Sequence, residues 1–262
     1  MARRIFVFLI PVFLSCASPP PGNVLSVSGG GFWDPDRFQG RIVFFGVSGG
    51  YYVSRNRAIR MALLDAARRL SFYRSVEAFV QFDETYNNQF QGVQIDEVGT
   101  LFYDDEYEKY IDALEFDPER DILEENNILF IRAGYKGGDS IRVNHVRPPT
   151  DGAKKPAWIE NPPARIDGYP AAVGFAGPRF SYKNAVTASY ENAVFNMVLN
   201  HFFTVIAEHA EHSQTIYDFS GIRSAGTVKG FYILETWTDS VTGGVWTLAI
   251  AQEIKNSFAV GE

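Results

Sequence analysis

The chain has 262 residues, 46% of them hydrophobic and 21% charged, with 24 Lys and Arg against 31 Asp and Glu. This is globular composition, and an acidic chain without a basic patch is a poor nucleic-acid binder. A single cysteine excludes a disulfide framework.

The N-terminus reads as an address. Arg3 and Arg4 precede an apolar run from Ile5 to Leu14, shorter than the roughly 20 residues that span a bilayer. Small residues follow, and the pattern predicts a secretory signal over residues 1–15. Cys16, the only thiol, stands directly after it. Phe13-Leu14-Ser15-Cys16 resembles the acylation site of bacterial lipoproteins. Ser15 fits that motif, and the bulkier Phe13 and Leu14 match its relaxed spirochaete form. Two or three acyl chains on Cys16 anchor stably, where one is marginal. Loss of residues 1–15 leaves 22 basic residues against 31 acidic ones, a charge of −9. Residues 16–32 read as the lipidated cysteine and a flexible tether, rich in Pro, Gly and Ser.

A first α/β unit is expected over residues 33–147. Arg41 to Val47 is an apolar run that reads as a buried strand, broken by Gly46, Gly49 and Gly50. Ser54 stands at an N-cap position. Ile59, Leu63, Ala66, Leu70 and Tyr73 form one apolar stripe of the helix that follows. Arg55, Arg57, Arg60, Arg68 and Arg69 lie mostly off the stripe and read as a solvated face. Ala78 to Phe82 and Ile128 to Arg132 are the strand candidates beyond. Asp104 to Glu125 holds eleven acidic and two basic residues without a calcium-loop pattern, which predicts a solvated hairpin or helix face.

Val143 to Pro170 carries six prolines and marks the boundary. The second unit, 148–262, repeats the plan. Ala171 to Phe175 predicts a strand and Ser181 caps. A helix apolar on more than one stripe is expected to run to about His212. Val228 to Thr236 and Val245 to Ala251 predict a hairpin turned at Thr242-Gly243-Gly244. Gly46 and Gly174 differ by 128, as do Gly49 and Gly177. Ser54/Ser181, Ala58/Ala185 and Ala66/Ala193 differ by 127. The expected class is α+β: two related strand–helix–strand–strand units, each a long helix packed on a small, mainly antiparallel sheet.

Pro156-Ala157-Trp158, Asn161-Pro162-Pro163, Val173-Gly174-Phe175-Ala176 and the small residues Ala185, Ser189 and Ala193 together carry a resemblance. Over about 100 residues the second unit resembles the Lpp-twenty lipoprotein family and the N-terminal domain of the flagellar assembly protein T. The resemblance implies a lipid-anchored envelope protein acting by assembly and surface contact, with no catalytic residues.

Three groups of residues bear on chemistry. Gly46-Val47-Ser48-Gly49-Gly50 matches a nucleophile elbow. Too few residues precede it for the upstream strands, and Ala176 occupies the Ser48 place in the duplicate turn. A serine hydrolase through Ser48 is therefore the distant alternative. His209 and His212, three apart on the expected helix, are weak metal candidates, and the last helical turn itself favours histidine. Trp33, Trp158, Trp237 and Trp246 suit either a core or a ligand site.

The sequence thus predicts a non-enzymatic module without cofactor or metal. It would sit in the cell envelope through acyl chains on Cys16, at the outer membrane in preference to the inner one. Phe195, Leu199 and Phe203, one step off the Val194–Val198–Phe202 row, form its expected contact surface for a protein partner or a second copy. The alternative is an envelope module binding a cell-wall or small-molecule ligand.

Overall fold

The structure, a computed structural model, describes residues 35–38, 41–50, 53–87, 92–125, 127–137, 150–152, 154–202, 204–212 and 215–257. The fold is α+β. In the first unit β1 (Val43–Val47) leads into α1 (Arg55–Arg74), then β2 (Val76–Asn87) and β3 (Gly92–Tyr103). A 3-10 turn η2 (Tyr107–Ala113), β4 (Leu114–Glu115), β5 (Ile122–Glu125) and β6 (Ile128–Tyr135) complete it. A short turn η1 (Pro35–Phe38) precedes β1. The second unit holds β7 (Thr150–Gly152), the single turn α2 (Ala157–Glu160), β8 (Arg165–Ile166), β9 (Tyr169–Ala176) and α3 (Tyr182–Leu199). It closes with β10 (Thr204–His212), β11 (Thr215–Lys229), β12 (Tyr232–Asp239), β13 (Val245–Ile250) and β14 (Glu253–Asn256).

Corresponding strands make corresponding sheets. β1 pairs antiparallel with β6, and β4 and β5 pair with the other side of β6. β9 likewise pairs antiparallel with β13, and β12 with the far side of β13. The two central hairpins then join in one sheet of order β10-β11-β2-β3, with β2 and β11 antiparallel from Val76↔Val228 to Asn87↔Tyr217. Segments from both sides of residue 147 therefore share this sheet. They share both main cores as well: Phe44, Leu70 and Ile131 pack with Tyr232, Leu234 and Ile250, while Phe72, Val76 and Ala78 pack with Tyr190, Val194 and Met197.

Each helix is positioned by the same device. Ser54 Oγ accepts from the Arg57 N–H and Ser181 Oγ from the Asn184 N–H, so both helices start where the sequence places their caps. Gly46 and Gly174 do not break their strands; both lie inside them. A Cβ at Gly46 would overlap the Ala62 carbonyl and reach 3.0 Å from the Ala66 nitrogen. At Gly174 it would overlap the Ser189 carbonyl and reach 2.8 Å from Ala193 Cα. The missing side chain, met by a row of small helix residues, lets helix and strand backbones touch.

The second helix ends earlier than expected. After Leu199 the chain turns, and Thr204-Val205-Ile206, a β-branched run, opens β10. The expected strand from Val228 to Thr236 is divided between β11 and β12 at Gly230, whose φ of 66° a glycine adopts without strain.

Two charged groups read as solvated are buried. Arg69 and Asp65 form an ion pair (3.1 Å) inside the core, because Asp65 Oδ2 also accepts from the Val47 N–H at the end of β1. Asp121, from the acidic stretch, is fully buried. It lies 3.1 Å from Arg37 on η1 and 3.7 Å from Arg132 on β6, and also accepts from the Asp117 N–H. Arg37 and Arg132 stack over the Phe38 ring, which occupies the space left by Gly134. The start of the described chain is thereby fastened to β6.

Candidate functional site

Cys16, the tether, Trp33, His145 and Phe203 lie outside the described residues.

Ser48 is buried at the end of β1, and its hydroxyl is committed. Its own N–H donates to the Leu129 carbonyl (2.8 Å), and its Oγ accepts from the Leu129 N–H (2.9 Å). The serine extends the β1–β6 ladder by one step. A cleft of about 230 Å³ opens beside it, bounded by Gly49, Gly50, Val53, Arg57, Ala58 and Met61. Those residues bring a guanidinium and no acid or imidazole to the serine.

His209 and His212 are not on a helix. Both lie in the strand β10. The helical spacing that motivated a metal reading is therefore absent. Among the described residues no group of three or more His, Cys, Asp or Glu is placed to hold an ion. His201 sits in the turn after α3, its Nδ1 2.8 Å from the Met197 carbonyl.

Phe195 and Leu199 are half-buried on α3. α3 lies between two sheets, its own (β9, β13) and the shared one (β11, β2). The Phe195 ring rests on Gly99 of β3, where an added Cβ would come within 2.9 Å of it. The contact crosses from one unit to the other.

The three described tryptophans do not converge on one cavity. Trp237 is buried, and Trp158 is half-buried against the first core. Trp246 stands opposite both Trp237 and Phe175 in register, which sets three aromatic residues in a row across the face of β12, β13 and β9 that Gly174 turns away from. The Phe175 and Trp246 rings lie 4.3 Å apart, with the Lys155 ammonium 5.8 Å above Trp246.

Sequence reasoning missed the polar clamps between helix and strand. Asp65 binds the Val47 N–H; 127 residues on, the Asn192 amide donates to the Phe175 carbonyl (2.7 Å). Val47 and Phe175 are themselves 128 apart, so the same helix position holds the same strand position in both units. The repeat offset carried that signal. Asn196 donates in turn to the Val173 carbonyl, and the buried hydroxyls of Ser189 and Thr247 meet at 2.6 Å. A further clamp joins the units: Arg68 of α1 donates to Tyr103 and Tyr190 hydroxyls and pairs with Glu191 of α3. Burial, then the Asp65 charge, pushes the Tyr190 phenol far above its ordinary value.

No family model, curated protein or solved structure matches the chain. The functional reading rests on the residues alone.

Proposed function

We propose that the protein is a lipid-anchored, non-enzymatic module of the cell envelope, held at the outer membrane by acyl chains on Cys16 and acting through contact with a protein partner or a second copy. The observation that carries this reading is the placement of the sole cysteine directly after the apolar run Ile5–Leu14. The kinship proposed is with the Lpp-twenty lipoproteins, through the second unit.

The Ser48 hydroxyl, which a hydrolase reading would need as its nucleophile, is buried and accepts from the Leu129 N–H, which favours this reading over that alternative. On this reading residues 16–32, the lipidated cysteine and the tether, would space the anchor from the fold. Membrane fractionation tests the reading. The parent chain is expected in the detergent phase and Cys16→Ala in the aqueous phase. Equal partitioning of the two would refute it.

The adjacent Phe175 and Trp246 rings favour a second reading, a module stacking a cell-wall saccharide or another flat ligand beside Lys155. Tryptophan fluorescence titrated with soluble cell-wall fragments checks it. A saturable change lost in Trp246→Ala is expected on this reading, and no change would dismiss it.

A further inference from the structure

Three large apolar side chains stand in solvent at one end of the molecule. Val53 is 87% exposed, Phe180 92% and Val241 75%. Val53 and Phe180 are equivalent positions, each immediately before the serine that caps its helix. An apolar residue there commonly packs onto the first helical turns. Here both point away instead, and burial within the fold explains neither.

Contacts bring the three tips to the same end. Val47, at the close of β1, is opposite Phe130 in register, and the Tyr182 ring at the start of α3 meets Phe130 edge-on at 5.9 Å. Arg55 at the start of α1 pairs with Glu124, on the strand beside Phe130. Both helix starts therefore flank one end of the first sheet. The turn carrying Val241 lies against Pro178, two residues before Phe180, since a Cβ on Gly243 would sit 3.6 Å from the proline ring.

The charge at this end opposes that of the chain. Residues 41–64 and 168–190 contain no Asp or Glu, in a protein of net charge −7. They supply Arg57, Arg179 and Lys183, none of which has an ion pair among the described residues. The nearby acids are occupied: Glu124 by Arg55, and Asp239 by the Val241 and Thr242 N–H groups and the Thr242 hydroxyl. Apolar tips among unpaired cations match a surface that is anionic outside and hydrocarbon beneath.

We propose that this end docks on an anionic lipid bilayer, with Val53, Phe180 and Val241 entering the headgroup–acyl boundary and Arg57, Arg179 and Lys183 meeting lipid phosphates. The docking does not depend on acylation of Cys16, and its failure leaves the anchor reading untouched. Such a surface would fix the orientation of the protein, which an N-terminal anchor alone leaves free.

The full chain carrying Cys16→Ala has no thiol, so one new cysteine takes an environment-sensitive fluorophore at a chosen place. Labels go at Phe180→Cys, Val53→Cys and, as control, the exposed Asp105→Cys. Vesicles contain phosphatidylcholine with or without phosphatidylglycerol. The proposal expects a blue shift and quenching by lipid-borne quenchers at 180 and 53, absent at 105, on vesicles with phosphatidylglycerol. Arg57→Glu with Arg179→Glu should weaken this binding about thirtyfold or more, at roughly 1 kcal/mol for each of the two cations. No shift at 180, an equal shift at 105, or equal binding to neutral vesicles overturns it. A shift without vesicles that grows with protein concentration also overturns it, because the occupant is then a second copy.

Discussion

Gly174→Ala tests the packing on which both units are built. The added Cβ would overlap the Ser189 carbonyl oxygen and lie 2.8 Å from Ala193 Cα. Both are backbone atoms of α3, so no side-chain rotation relieves the clash. The helix would have to lift from β9 by about an ångström, and its other flank is already packed on β11 and β2. Overpacking of this kind costs about 1–3 kcal/mol, and an immovable neighbour places it at the upper end. The alanine also lowers the entropy of the unfolded chain, which returns about 0.4–1 kcal/mol. A net loss of roughly 2 kcal/mol is expected, read as a lower urea midpoint at unchanged slope. Gly49→Ala is the control: nothing lies within 4 Å of its added Cβ, and it should be neutral or slightly stabilising. If Gly174→Ala matches that control within about 0.5 kcal/mol, the glycine is not the seat of the helix and the reasoning fails.

Ser48→Ala should cost about 1–3 kcal/mol in the same assay, because it leaves the buried Leu129 N–H without its acceptor; an unchanged midpoint would show that the N–H finds another partner. Asp121→Ala removes the carboxylate between Arg37 and Arg132 and should destabilise by roughly 3 kcal/mol. Limited proteolysis would show whether cleavage then begins near η1, and a resistant η1 would contradict the lock. Alkali acts through the tyrosines. Burial raises the Tyr232 phenol well above its ordinary value, so its contribution is complete below pH 10 and fades as pH rises beyond that. Unfolding monitored by tyrosinate absorbance should begin above pH 10, and less steeply in Tyr232→Phe; identical alkaline profiles would discount this residue.

The backbone plan was legible because local signals agreed. Ser54 and Ser181 cap where they should, and the runs read at 41–47, 128–132 and 171–175 fall on the strands Val43–Val47, Ile128–Tyr135 and Tyr169–Ala176. The glycines were seen but misjudged, since close approach and chain reversal leave the same residue in a sequence. Apolar periodicity overextends α3 because Val205 and Ile206 continue its run, whereas β-branching at 204–206 marks the strand. The buried charges were hidden for another reason. Arg69 counts as surface by residue type; helical spacing already sets Asp65 beside it, and only the fold shows that the pair is buried. The sharing of one sheet by β2 and β11 left no local mark, being a pairing between segments some 140 residues apart.

The central claim concerns the mature N-terminus, and mass spectrometry of that peptide from purified envelopes addresses it directly. The account predicts a chain beginning at Cys16, heavier than the bare peptide by the mass of two or three acyl chains. An unmodified Cys16 thiol, or a mature chain that begins elsewhere, would contradict it.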